Sequence, residues 1–278
     1  MLDNKVLLIT GLDENNTLSY SSRQAEVLDL VAKESKVLPS ILFPERIFGA
    51  TGGVIHGIPF IIGGHAENTS IQRNWGNWDE TNKCWKLTSE GWQTFAHLEY
   101  ARNDAASVVL QDNEIWVTGG RGKYDGYNTT EIISMETNES RKGPDLPFGY
   151  ELSGHAMAKV DENNIYIIGG RYRNSISNGY TYNNKTLIYD QNSFEFTSGP
   201  DLNVERAFFG SGIFSSSLHN GRPCLLVAGG KRMKNIVTYP RLSSVEILDF
   251  TQPEANWTTS KTNLPLCKRV CFVKIFVF

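Results

Sequence analysis

A short apolar run ending in two glycines recurs four times in this chain, and no other feature constrains its fold as much. It reads Pro-Phe-Ile-Ile-Gly-Gly at 59–64, Ile-Trp-Val-Thr-Gly-Gly at 115–120, Ile-Tyr-Ile-Ile-Gly-Gly at 165–170 and Leu-Leu-Val-Ala-Gly-Gly at 225–230. A fifth copy with a single glycine, Val-Leu-Leu-Ile-Thr-Gly, stands at 6–11. Counted from the first glycine of each copy, at 11, 63, 119, 169 and 229, the intervals are 52, 56, 50 and 60 residues. A period near 50 with a strand in every unit predicts an all-β propeller. The repeat spans nearly all of the 278 residues, so it predicts one domain where length alone permits two.

Within each unit a first strand leads through a tight turn into the strand that ends in the glycines. The predicted pairs are Phe48–Ile55 with Ile58–Gly64, Ala105–Leu110 with Glu114–Gly120, Ala156–Val160 with Ile165–Gly170, and Gly212–Ser216 with Pro223–Gly230. The turns fall at His56-Gly57, Asp112-Asn113, Asn163-Asn164 and Asn220-Gly221, residue types that tolerate the positive φ of two-residue hairpins. The second strand is apolar almost throughout, as a strand covered on both faces must be. The double glycine then permits close backbone approach near the propeller axis.

A polar loop follows, then a third strand with alternating character: Ala25-Glu26-Val27-Leu28-Asp29, Glu131-Ile132-Ile133, Leu187-Ile188-Tyr189-Asp190 and Val245-Glu246-Ile247-Leu248-Asp249. A fourth strand is expected to carry Trp85, Phe196 or Trp257. Each unit closes on proline and leucine, twice as Gly-Pro-Asp-Leu at 143–146 and 199–202, and arginine follows at Arg46, Arg102, Arg206 and Arg269.

This order resembles the kelch repeat, with the stretch from Val227 to Arg269 the fullest match. The first unit departs in its single glycine, and the first and third lack a fourth-strand tryptophan. The resemblance covers roughly 5–278 and implies a kelch-type β-propeller of four-stranded antiparallel blades, at roughly 1–46, 47–102, 103–152, 153–206 and 207–269. The first unit has no first strand, and 270–278 is a first strand with no second. Pairing 270–278 beside 5–11 gives five blades and removes two edges. A chain that is a fragment of a longer ring gives a sixth.

Composition narrows function by exclusion. A net charge of −3 gives no general attraction to nucleic acid or anionic membrane. No apolar run approaches the ~20 residues of a membrane helix, and the first residues lack the zones of a signal peptide. A cytoplasmic location follows as the expectation. Six Asn-x-Ser/Thr sequons (Asn15, Asn68, Asn128, Asn138, Asn184 and Asn256) become acceptors if the protein is secreted. The four cysteines form no Cys-x-x-Cys pair and read as small buried hydrophobes. The five histidines show no pairing from which a copper site of the galactose-oxidase type, or any other metal site, is built. No cofactor is expected. A sugar mutarotase on a kelch ring is the main enzymatic alternative to a binding protein.

The remaining signal is charge placed by the repeat. The residues directly after the double glycine are His65, Arg121, Arg171 and Lys231, and three of these loops continue with Tyr124, with Tyr172 and Arg173, and with Arg232. The kelch resemblance puts this loop and the one carrying Arg46, Arg102 and Arg206 on one face, around the channel mouth. Arginine suits bidentate recognition of carboxylates. The expectation is therefore a non-enzymatic interaction module that takes a protein or acidic peptide on that face. The inter-unit arginines have a second reading, as framework residues paired with Glu26, Glu131 or Glu246.

Overall fold

The structure, a computed structural model, describes residues 5–12, 21–29, 31–38, 41–67, 78–111, 113–122, 126–147, 149–174, 179–215, 221–232, 240–252, 254–264 and 276–277. All regular elements among them are β-strands. The chain forms two compact units. Unit 1 holds Met1–Asp125, Thr129–Gly143 and Cys271–Phe278; unit 2 holds Gly126–Asn128 and Pro144–Val270.

Unit 1 contains three four-stranded antiparallel sheets. The first runs β1 (Lys5–Leu12), β2 (Ser21–Asp29) and β3 (Glu34–Leu38), with β25 (Phe276–Val277) on the other side of β1. There Val6 faces Val277 and Leu7 faces Phe276. The pairing of the chain's two ends is thus present at these residues, and the rest of 270–278 lies outside the described residues. The second sheet has the order β5 (Thr51–Ile55), β6 (Ile58–Ile62), β9 (Lys83–Thr88), β10 (Gly91–His97). Between β6 and β9 the chain inserts the hairpin β7 (His65–Glu67) and β8 (Trp78–Glu80), which pairs with β4 (Ile47–Phe48), ahead of β5, into a small extra sheet. The third sheet runs β11 (Ala106–Val109), β12 (Glu114–Thr118), β13 (Thr130–Ser134), β14 (Ser140–Lys142).

Unit 2 repeats the plan. One sheet runs β15 (Ala156–Lys159), β16 (Asn164–Ile168), β19 (Thr186–Asp190), β20 (Glu195–Ser198), with a separate hairpin β17 (Arg171–Asn174) and β18 (Gly179–Tyr182). The other runs β21 (Gly210–Ser215), β22 (Pro223–Ala228), β23 (Val245–Leu248), β24 (Thr258–Thr259).

The double-glycine strands supply the cores. Phe60, Ile62, Ile115 and Val117 pack together in unit 1, and Ile168, Leu225, Val227 and Trp257 in unit 2. One expectation is corrected. Trp85 lies on β9, the third strand of its sheet, opposite Ile61, and the fourth strand there is β10 with Trp92. The hairpin inserted after Gly64 displaces the later strands along the chain and so hides their order. Trp85 and Trp92 both meet the Phe43 ring edge-on, at centroid distances of 5.0 and 5.2 Å.

The turns use two devices. His56 (φ 48°) and Gly57 (φ 79°), Asn113 (φ 61°) and Gly221 (φ 75°) adopt the left-handed region expected of hairpin tips. At the β15–β16 turn, Asp161 Oδ1 instead accepts the backbone N–H groups of Asn163 and Asn164 at 2.8 and 2.7 Å. That aspartate fixes the turn without positive φ, and Asn164 belongs to the strand.

Candidate functional site

Both glycines of all four pairs have positive φ, between 57° and 106°. What they admit is backbone of the links: the first glycine the link into the next sheet, the second the link into its own. A Cβ on Gly169 would stand 2.8 Å from the Arg206 carbonyl oxygen, and one on Gly120 2.8 Å from the Asn103 carbonyl oxygen. Gly64 and Gly170 donate backbone N–H groups to the carbonyls of Arg102 and Arg206, each at 2.8 Å.

The side chains of those arginines then reach into the following sheet. Arg102 donates to the Gly119 and Thr129 carbonyls at 2.8 and 2.9 Å and to Glu131 Oε1 at 2.7 Å. Arg206 donates to the Gly229 and Ser244 carbonyls at 2.9 and 3.2 Å and to Glu246 Oε1 at 2.6 Å. The glutamates are engaged further. Glu131 accepts from the Glu99 and Tyr100 N–H groups and from Ser140. Glu246 accepts from Asn203 and Val204. Both arginine side chains are fully buried. Arg102 and Arg206, expected among the partner-binding residues, are therefore rivets between consecutive sheets, because no part of either guanidinium reaches the surface. Arg46 differs. In its sheet the third-strand position equivalent to Glu131 is Trp85, opposite Ile61, and the Arg46 side chain is partly exposed beside Glu67 at 3.7 Å.

The same links carry a second repeated contact that the sequence did not disclose. Asn82, Asn128 and Asn184 accept the N–H of Leu98, Leu146 and Leu202 on their backbone carbonyls. Each returns its side-chain amide to the same leucine's carbonyl. The sequons at Asn128 and Asn184 thus use their amide nitrogens as structural clips.

The post-glycine residues are held at the link end of each sheet by backbone bridges: Phe48 with His65, Asn103 with Arg121, Ser153 with Arg171 and Ala207 with Lys231. Immediately after, the link turns through a residue of positive φ. It is Gly49 (66°), Asp104 (55°), Gly154 (64°) and Phe208 (60°). The surroundings of the post-glycine residues differ between the two units.

In unit 1 the filling is polar. His65 Nε2 lies 3.3 Å from Glu80 Oε1 and 3.2 Å from Asn103 Nδ2. Asn103 Nδ2 also donates to the Arg121 carbonyl at 3.0 Å and to Glu80 Oε1 at 3.3 Å. Those two oxygens take both amide protons, so the histidine carries its proton on Nε2 and donates it to Glu80. His65 Nδ1 and Asn103 Oδ1 are then buried acceptors with no hydrogen-bond partner among the described residues. Burial, aided by the nearby Arg121, holds the His65 pKa below its ordinary value against the opposing pull of Glu80 and Asp104. Arg121 is about one-third exposed and pairs with Asp104 at 3.4 Å. Glu80 also borders an open, largely polar groove of about 730 Å³ with Arg23, Arg46, Glu67 and Lys83.

In unit 2 the filling is aromatic. The Arg171 guanidinium lies 3.9 Å from the Tyr180 ring centroid and 4.4 Å from that of Phe208. Tyr180 is brought in by the hairpin, where Arg173 faces it and Tyr172 faces Thr181. Tyr172 is half-buried and Arg173 exposed; Lys231 and Arg232 are half-buried on the neighbouring sheet. Tyr124 lies outside the described residues. Sequence reasoning found the basic positions but missed Glu80, Asn103, Tyr180 and Phe208, which determine what surrounds them. The only sequence signal for the link position is the glycine at 49 and 154.

A family model described as the Kelch motif matches residues 104–147. The chain is 26% identical over 189 residues to the Kelch-like protein terF of Aspergillus terreus, covering 64% of this chain and 37% of that protein. It is 27% identical over 120 residues to Kelch-like protein 40 of Xenopus tropicalis, covering 43% and 17%. The matches thus span well under half the length of either relative. Among solved structures, that of YjhT superposes with a TM-score of 0.71 at 16% identity, over 94% of this chain and 82% of that one, and shares the fold alone. Repeated four-stranded antiparallel sheets, the matched motif, these relatives and the shared fold together support a kelch-repeat family and a propeller fold class.

Proposed function

We propose that this protein is a non-enzymatic interaction module that takes an acidic protein segment at the post-glycine end of its sheets. Arg171 is the principal contact in unit 2 and Arg121 its counterpart in unit 1. The observation that carries this reading is the division of labour among the arginines. The inter-unit pair Arg102 and Arg206 is consumed by buried glutamates, whereas Arg121 and Arg171 stand at sheet ends with part of their surface open. Arg173, Lys231 and Arg232 add positive charge near Arg171, and Tyr172 and Tyr180 add aromatic area of the kind enriched at protein interfaces. Each charge-assisted hydrogen bond to a carboxylate contributes about 1.5–3 kcal/mol when desolvated. The test is binding of short Asp/Glu-rich peptides against matched Asn/Gln peptides. Acidic peptides are expected to bind more tightly, less so as salt shortens the Debye length, and less to Arg171→Ala. Equal binding across the panel, or indifference to salt, refutes the reading.

One observation favours a second reading, an enzyme acting on a small polar substrate such as a sugar. The groove carboxylate Glu80 is backed by His65 and Asn103, an arrangement able to hold and pass a proton. Saturation-transfer NMR with a set of free hexoses distinguishes it: transfer lost in Glu80→Gln supports it, and no transfer from any sugar removes it.

A further inference from the structure

We infer that the open groove of unit 1 binds a small zwitterion, with its ammonium group at Glu80 and its carboxylate at Arg23. The inference rests on neither reading above, since acidic segments concern Arg121 and Arg171 and hexoses carry no charge. The groove, of about 730 Å³, is bordered by Arg23 of β2, by the segment after Phe43 and by the β7–β8 hairpin. That volume is of small-molecule size. Most of its charges cancel within the wall: Arg46 pairs with Glu67 at 3.7 Å, and Lys83 pairs with Glu45. Asp79 is engaged as well. Arg23 and Glu80 remain, one of each sign.

Arg23 Nε donates to the Phe43 carbonyl at 2.7 Å, and the Arg23 carbonyl accepts the Phe43 N–H at 2.8 Å. One edge of the guanidinium is thus tied to the backbone. Its two terminal nitrogens meet no acceptor among the described residues, and the side chain is exposed. That remaining edge suits the paired oxygens of a carboxylate. Glu80 is the reverse case. Its Oε1 accepts from His65 Nε2 and Asn103 Nδ2, both at 3.3 Å, and its Oε2 has no hydrogen-bond partner among the described residues. The side chain is only 17% exposed, and both donors are neutral, because burial keeps the imidazole unprotonated. A carboxylate is therefore held mostly out of water with no lysine or arginine against it among the described residues, which is costly until a cation arrives. An ammonium group meets that need as a compact cation with three donors. A molecule carrying both groups satisfies both positions and leaves the net charge of the groove unchanged.

The experiment measures binding to the 278-residue chain by saturation-transfer NMR and titration at low salt and neutral pH. Glycine, γ-aminobutyrate and ε-aminocaproate present the same two charges at increasing separation, while butylamine and butyrate present one each. At least one zwitterion should bind wild type roughly three- to tenfold more tightly than either single-charge analogue. The preferred chain length reads the spacing of the two poles. Glu80→Gln should reduce that zwitterion to the level of butyrate and leave butyrate itself unchanged. Arg23→Gln should reduce it to the level of butylamine and leave butylamine unchanged, and Arg23→Lys should retain part of the affinity. If no zwitterion exceeds both single-charge analogues, the inference is overturned. A variant that weakens both analogues equally also counts against it, because the groove as a whole has then been disturbed and no pole has been removed. Transfer to hexoses with no preference for zwitterions favours the enzymatic reading and overturns this one.

Discussion

The post-glycine ends of unit 1 and unit 2 are built on one backbone plan and carry opposite chemistries. Both have a bridged basic or titratable residue after the double glycine, and both have a link residue of positive φ beside it. Both are locked by a buried arginine–glutamate rivet, Arg102–Glu131 in one and Arg206–Glu246 in the other. In unit 1 the surroundings are carboxylates, an amide and a neutral imidazole, so charge is satisfied internally and the end is acid–base in character. In unit 2 they are the Tyr180 and Phe208 rings, with further basic residues on the hairpin and the neighbouring sheet. The scaffold fixes where a side chain stands, and the neighbours fix what it does.

The largest expected effect tests what the units share. Arg102→Ala and Arg206→Ala each strand a buried carboxylate, and each should lower the unfolding free energy by about 3–5 kcal/mol. Urea denaturation measures it. A loss below about 1 kcal/mol in either breaks the shared-rivet account.

Next comes the link position. Gly154→Ala combines φ 64° with a clash against Phe208, and about 1–3 kcal/mol should be lost. Adding Phe208→Gly should restore part of that loss, since the far end of the phenyl ring is the obstacle. Absence of any coupling in this double-mutant cycle means the ring is not seated on Gly154.

A smaller effect belongs to unit 1 alone. Because burial holds the His65 pKa below 6.5, the unfolded chain takes up a proton there before the folded protein does. The stability tied to neutral His65 is present above the unfolded value and declines as pH falls from about 6.5 toward the folded value. His65→Phe, which keeps a ring beside Phe48, should flatten that part of the pH–stability curve. An unchanged curve contradicts the assignment. The smallest expected effect is at the exposed Arg141–Glu114 pair, whose 2.7 and 2.8 Å contacts should be worth under about 1 kcal/mol when Arg141→Ala removes them.

The period of the double glycines carried the fold because each copy fills a buried strand and a close backbone approach, and both leave compositional traces. The third strands at Ala25–Asp29, Glu131–Ile133, Leu187–Asp190 and Val245–Asp249 were legible for the same reason. Trp85 was misplaced because the inserted hairpin β7–β8 lengthens the loop after the double glycine without changing the motif on either side. Arg102 and Arg206 were legible as paired with glutamate or as exposed, and only three-dimensional burial separates those readings. Phe208 and Tyr180 were invisible. Their contacts with Arg171 cross from one strand pair to another, and no spacing rule links positions 171, 180 and 208.

The most direct measurement is the affinity of one Asp/Glu-rich peptide for wild type, Arg171→Ala and Arg121→Ala, each titrated at low and at high salt. Arg171→Ala should weaken binding by about tenfold or more at low salt, consistent with one charge-assisted contact. Arg121→Ala should weaken it less, because Asp104 already holds that guanidinium, and all three affinities should draw closer together as salt rises. Equal affinity of the three proteins at both salt concentrations would contradict an acid-binding end at unit 2.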